Sequence, residues 1–436
     1  MSQTPLHKKS KRLTSLDAFR GITIAMMILV NNPGTWSKIY PPLRHAAWNG
    51  WTFTDLIFPF FLFIVGVAIV LAFRKRLSQG IPKKQLYPKI VRRTVILFGL
   101  GLFLNGFAGL PNWGWLIYSL LFGLILVAYL LINNLESLSN EQNKLYLKRI
   151  FQLIVIVFML HSLLYFNFAS LRIPGVLQRI AVCYAVSSLI VLNTNLKWQA
   201  YIAFGILVFY WIIMKTVPVP GFGAGILEPK GSLCWYIDST LLSGHTWAHA
   251  PAKGFDPEGI LSTIPAISTV LMGVLTGHWL KTDKSDHAKV NGMYVAGVLG
   301  LLSGVIVDIW FPINKNLWSS SYVLFMAGMA LMFLATLYWL VDIKNYKAYT
   351  KPFVIFGSNA IIMFTLSSFF AKVLGGLWKI NLANGTQITM KTYLFNNLFA
   401  SWLSPINASL AYAISYLLIW FVVAYVLYKK RVYIKV

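Results

Sequence analysis

The chain has 436 residues, a formal net charge of +26 and a mean hydropathy of +0.66; 57% of its residues are hydrophobic and 11% charged. About a quarter of the residues of a soluble domain are charged, so this composition excludes a water-soluble globular fold. The apolar runs do not alternate with polar residues in segments of ~10, which excludes a transmembrane β-barrel. What remains is an all-α polytopic membrane bundle of about 12 transmembrane helices, read as a single domain over 1–436.

Twelve spans are predicted near 16–33, 53–73, 92–109, 113–133, 150–168, 174–194, 198–216, 260–280, 291–311, 319–341, 352–374 and 406–428. With the N-terminus in the cytoplasm, 27 of the 38 Lys and Arg fall on the cytoplasmic side when Arg20, Arg92 and Arg93, at the cytoplasmic mouths of their spans, are counted with it; eight fall on the opposite side and three, Arg179, Lys215 and Lys372, inside spans. That asymmetry places both termini in the cytoplasm. The basic excess then reflects topology and attraction to anionic lipid, and nucleic acid is not expected as a partner. The start of the chain does not read as a cleavable signal peptide, because SLDAFRG before the first apolar run lacks a small-residue cleavage pattern. The two cysteines, Cys183 and Cys234, supply neither a disulfide framework nor a metal-ligand spacing.

The first span opens on SLDAFRG, where Asp17 and Arg20 share a helix face and can pair. The guanidinium of Arg20 can also grip phosphate. The span ends at VNNPG, where Pro33 stops the helix and Asn31 is either a helix cap or an amide placed to hold a carbonyl or an oxyanion. The next loop, LRHAAWNG, holds His45. A lone histidine in an outer loop is ordinarily just polar. Here Trp48, Trp51 and Phe53 can shield its ring, and Asp55, an acid in the first turn of the second span, can orient it. A histidine with a carboxylate partner is suited to accept a proton from a nucleophile. Asn31, His45 and Asp55 are expected at a similar depth.

Segment 113–168 reads as an extra helical hairpin. In the sixth span, LRIPGVLQRIAVCY places Gln178 and Arg179. A buried arginine must face the bundle, paired with an acid, Asp308 being a candidate, or with an anionic ligand. Two outer loops are long, 217–259 and 375–405. Trp235, Tyr236, Trp247 and His249 in the first are either a sugar-stacking surface or interfacial aromatics. FDPEGILSTI, with Asp256 and Glu258, reads as a device for starting the eighth span. In FPINKNLWSSSYVL, Lys315 runs against the charge bias and is expected to meet an anion or an acid.

LDAFRG, LVNNPG, HAAWNGWTFTDLIFPFFLFIVG, RIPGVLQRIAVCY, YIDSTLL, DPEGILSTI, FPINKNLWSSSYV and LYKKRVYIKV follow one another from residue 13 to the C-terminus. Together they resemble the heparan-α-glucosaminide N-acetyltransferase family of transmembrane acetyltransferases. The large luminal N-terminal domain of the lysosomal enzyme has no counterpart in the match, and 113–168 departs from it. The resemblance implies transfer of acetyl from cytosolic acetyl-CoA, a co-substrate, to the amine of an amino sugar such as a terminal glucosamine on the far side, without a metal. It implies His45 as the active-site histidine, Asn31 as its partner, Asp55 as a nearby acid, and Gln178, Arg179 and Arg20 on the CoA side. His45 either acts as general base in a ternary complex or is acetylated first. The base is favoured, because an acetyl-imidazole in a wet loop would hydrolyse. The alternative is an amino-sugar or N-acetylglucosamine-related transporter. The setting implied is a bacterial inner membrane, with the lipid bilayer and the sugar as partners and a homodimer as one assembly.

Overall fold

The computed structural model describes residues 13–107 and 163–434, with single positions 123, 149, 153 and 160 between them. The fourth predicted span therefore lies almost wholly outside the described residues, and the fifth span and the hairpin 113–168 lie mostly outside them.

The chain forms α1 (Thr14–Val30), α2 (Ile57–Ser78), α3 (Tyr87–Phe107), α4 (Val176–Asn193), α5 (Leu196–Thr216), the short α6 (Leu233–Leu241), α7 (Ile260–Leu280), α8 (Asp286–Asp308), α9 (Ser320–Leu337), α10 (Lys347–Ser358), α11 (Ala360–Lys372), α12 (Met390–Phe395) and α13 (Pro405–Lys429). Nine helical segments among the described residues are long and apolar enough to cross a membrane. With 17 residues, α1 is one residue shorter than the shortest of those nine. The chain is an all-α polytopic membrane protein.

Two predicted regions differ in the structure. The run 352–374 is two helices, α10 and α11, broken at Asn359. The Asn359 amide donates to Val432 O and accepts from Ile434 N, so the break is tied to the end of the chain. The two long loops are also partly ordered. Segment 217–259 contains α6, and segment 375–405 contains an antiparallel hairpin, β1 (Lys379–Asn381) with β2 (Gln387–Thr389), followed by α12.

The core sits where α2 and α7 cross, each more than two-thirds buried over its most apolar stretch. The crossing is close because both helices present glycine. A Cβ on Gly66 would lie 1.9 Å from Val270 O, and one on Gly273 would lie 2.0 Å from Phe63 O. Small residues that let backbones approach are a general device of membrane helix packing. The α1–α10 crossing repeats it, with Gly21 against Phe353 O and Gly357 against Asp17 O. By contrast, α5 and α8 leave most of their apolar surface uncovered and form the lipid-facing periphery. A second apolar cluster, built on Tyr210, Cys234, Phe255, Phe311 and Leu317, underlies segment 217–259. It forms the floor of the end of the bundle that carries His45.

Candidate functional site

At that end a cavity of about 510 Å³ opens between the loop after α1, the start of α2, the start of α4, segment 245–258 and the loop between α8 and α9. Its volume is in the range of small-molecule sites. Asn31, His45, Asp55, Trp48, Trp247, His249, Arg172, Glu258 and Lys315 all line it. The two asparagines that end α1 are sorted by it. Asn32 is buried and donates back to Ile28 O at 2.7 Å, whereas Asn31 is exposed at the cavity wall.

His45 is held from both sides. Its loop docks through Gly50 N–H to Ile313 O (2.7 Å) and through Asn314 Nδ2 to Asn49 Oδ1 (3.1 Å). Gly50 takes a positive φ of 88°, which glycine adopts without strain. Asp55 is almost fully buried and accepts from the backbone N–H of Ala46 and of Thr52, both at 3.0 Å. Thr52 and Asp55 form a reciprocal capping box at the entry to α2. With its position fixed in this way, Asp55 Oδ1 lies 2.7 Å from His45 Nδ1 and 3.4 Å from Lys315 Nζ.

Lys315 Nζ is also 2.9 Å from His45 Nδ1 and 3.3 Å from Nε2. Nδ1 cannot both donate to Asp55 and accept from an ammonium. The shorter contact to the buried carboxylate assigns the proton to Nδ1, so Nε2 carries the lone pair, which has Lys315 Nζ at 3.3 Å. Burial pushes the Lys315 ammonium below the ordinary lysine value, while Asp55 and Glu258 pull it back up. The lysine that ran against the charge bias thus meets an acid, Asp55.

The aromatic shield is narrower than the sequence suggested. Trp48 lines the cavity, donates to Leu227 O at 3.0 Å and packs edge-on against Phe255. Trp51 instead packs on Phe325, Phe53 is exposed, and neither is among the cavity-lining residues, so the His45 side chain remains 45% accessible. The aromatics of segment 217–259 are likewise divided. Trp247 and His249 line the cavity, while Trp235 donates to Lys253 O and packs edge-on against Phe222.

The opposite wall rests on Arg172, which the sequence reading passed over. Its guanidinium takes both oxygens of fully buried Asp256, at 2.8 and 2.6 Å, and Glu258 Oε2 at 2.6 Å, and lies over the Trp247 ring. Burial alone would raise the Glu258 carboxyl, but Arg172 first, then Arg179 and Lys315, hold it below the usual carboxylate range. Asp256 and Glu258 are therefore not the device that starts α7. That role falls to Asp238 on α6, whose Oδ1 accepts from Ile260 N–H at 3.0 Å.

Arg179 is almost fully buried and is not among the side chains lining the cavity. It donates to Pro257 O at 2.8 Å, to the Ser262 hydroxyl and to Thr263 Oγ1, and lies over the Trp318 ring at 4.9 Å. Asp308, its candidate partner, instead accepts from Ile313 N–H. Arg179 Nη1 and the neighbouring Gln178 Nε2 are buried donors with no protein acceptor among the described residues. Arg20 pairs with Asp17 at 3.3 Å, eleven residues before Asn31 on α1 and so about 16 Å away along the helix.

Residues 12–140 match the sequence profile of the heparan-alpha-glucosaminide N-acetyltransferase catalytic family. The heparan-alpha-glucosaminide N-acetyltransferase of Homo sapiens is 28% identical over 473 aligned residues, covering 98% of this chain and 60% of the human protein. The chain is thus similar to the heparan-α-glucosaminide N-acetyltransferases over nearly its whole length, with the catalytic profile matched in its first third. The enzyme of the same name from Mus musculus is 27% identical over 98% of this chain and 61% of its own length. The chain thus spans about three fifths of the length of the curated relatives it matches. Of the cavity residues, Asn31, His45, Trp48 and Asp55 fall inside the profile match, whereas Arg172, Trp247, Glu258 and Lys315 fall beyond it and inside the alignment that spans nearly the whole chain.

Proposed function

We propose that this protein is a transmembrane acetyltransferase that moves acetyl from acetyl-CoA to the amine of an amino sugar such as a terminal glucosamine. The observation that carries the reading is the His45 geometry, in a chain similar to these N-acetyltransferases. Buried Asp55 fixes Nδ1–H, and His45, with Nε2 unprotonated, shares a cavity of about 510 Å³ with Asn31. In this reading His45 is the general base, Asp55 stabilises the imidazolium that forms, and Asn31 donates its amide to the thioester carbonyl. The carboxylate of Glu258 and the ring of Trp247 face the acceptor sugar.

Acetyl-CoA is the co-substrate, and no metal enters the scheme. The donor is cytosolic and the acceptor lies across the membrane, which in a bacterium is the inner membrane, with both termini in the cytoplasm. Arg20, in the basic region at the far end of α1, meets the phosphates of CoA. Gln178 and Arg179 lie along the path of the pantetheine arm, where their unmatched N–H groups find amide carbonyls. The test is release of free CoA by the purified protein from acetyl-CoA across a panel of amino sugars. Stoichiometric CoA and N-acetylated sugar are expected with glucosamine.

The break between α10 and α11 is the observation that favours a second reading, an amino-sugar transporter, since transporters build sites on broken helices. Uptake of unmodified sugar into proteoliposomes without CoA, together with no CoA release, would select the transporter.

A further inference from the structure

Lys315 has two explanations open to it: a counter-ion for Asp55, or a group that acts on the reacting atoms. Asp55 does not need it as a sole partner, since Ala46 N–H, Thr52 N–H and His45 already donate to that carboxylate. The lysine also reaches past Asp55. Its Nζ is closer to the His45 ring nitrogens, 2.9 and 3.3 Å, than to the carboxylate oxygen at 3.4 Å, and it lines the cavity. An ammonium has three N–H bonds, so one directed at Asp55 and one at His45 Nε2 leave one for the cavity.

We propose that the Lys315 ammonium is the charged donor that stabilises the tetrahedral oxyanion of acetyl transfer, with Asn31 as the neutral donor beside it. The inference rests on the acetyltransferase reading. An amine that gives its proton to His45 Nε2 must lie within hydrogen-bond reach of that atom. The carbonyl carbon it attacks is one bond away in the product, and the carbonyl oxygen one bond further. Nζ, 3.3 Å from Nε2, is within reach of that oxygen.

The step balances. The amine nitrogen forms the C–N bond, the C=O π pair moves onto oxygen facing Lys315, and the amine proton passes to Nε2. Collapse of the oxyanion breaks the C–S bond, and the CoA thiolate takes the proton from His45 and leaves as the thiol. Lys315 keeps its protons throughout. Its desolvated charge acts most strongly when the oxygen becomes negative, which lowers the barrier more than it tightens the ground state.

The test compares Lys315→Met and Lys315→Arg with the unsubstituted protein. Lys315→Met is expected to lower kcat about 10²–10³-fold, with the KM for acetyl-CoA and for glucosamine changed far less, and Lys315→Arg to recover part of the rate. The second readout needs no turnover. In the His45→Ala background, the infrared band of carbonyl-labelled acetyl-CoA bound to the protein is expected at lower frequency with Lys315 present than with Lys315→Met. An unchanged band, or a loss of rate seen only as raised KM, would return Lys315 to the role of a structural counter-ion. If the unsubstituted protein transfers no acetyl, the acetyltransferase reading fails and this inference with it. Normal turnover beside an unchanged band would remove the role of Lys315 alone.

Discussion

The Asn314 side chain donates to Asn49 Oδ1 at 3.1 Å, joining the loop that carries Lys315 to the loop that carries His45. The same amide accepts from Leu317 N–H at 2.8 Å, and its own backbone N–H bonds to Ser319 Oγ. Fully buried, Asn314 therefore fixes two loops that are remote in sequence, and with them the two cationic or basic groups beside Asp55.

Replacing Asn314 by Ala leaves Leu317 N–H without its acceptor and frees the His45 loop. A loss of about 1–3 kcal/mol in stability is expected for the unsatisfied buried donor. Turnover should fall at an unchanged protein concentration, because His45 and Lys315 are no longer held in register. Thermal unfolding in detergent and CoA release measured on the same sample check both parts.

Arg172→Ala removes the partner of Asp256, which is fully buried. Breaking a buried pair from one side costs about 3–5 kcal/mol. The variant is expected to unfold at markedly lower temperature, while Arg172→Lys, which loses the bidentate geometry but keeps a charge, should fall between. Equal melting temperatures for all three proteins would show that this wall of the cavity does not depend on the ion pair.

The apolar runs made the membrane-spanning helices legible, because length and hydropathy are local properties of the chain. Proximity of Asn31, His45 and Asp55 was legible too, since one loop joins two successive helices of opposite direction and leaves their ends on the same side. What was not legible depended on distant partners. Arg172 finds its acids 84 and 86 residues away, and nothing beside it in sequence distinguishes it from a loop cation. The break at Asn359 is made by a bond to residues 73 and 75 positions later, inside a run whose apolar character gives no sign of a stop. Trp235 and Trp247 are the same residue in the same segment, and only tertiary packing turns one to Lys253 O and the other to the cavity. The one odd signal that did point ahead was Lys315, a cation on the side where cations are few.

Stability should depend on pH through Asp238. Burial raises its carboxyl to about 7 from 3.8, with nearby Asp256 adding to the rise and the N–H bonds from Ile260 and Asp256 opposing it. The native state therefore binds this proton more tightly than the unfolded chain does. Its contribution is complete below about pH 4 and is lost as pH rises through about 7. Asp238→Asn is expected to flatten the decline of melting temperature over that interval. A decline as steep in the Asn variant would assign it to other groups.

The most direct test of the account is acetyl transfer by His45→Ala. Purified unsubstituted protein and the variant, matched for amount, detergent and melting temperature, are given labelled acetyl-CoA and glucosamine, and N-acetylglucosamine and free CoA are measured together. With His45 as the base facing the cavity, the unsubstituted protein forms both products in equal amounts and the folded variant forms neither above the uncatalysed background. Equal product formation by the two proteins would contradict the account.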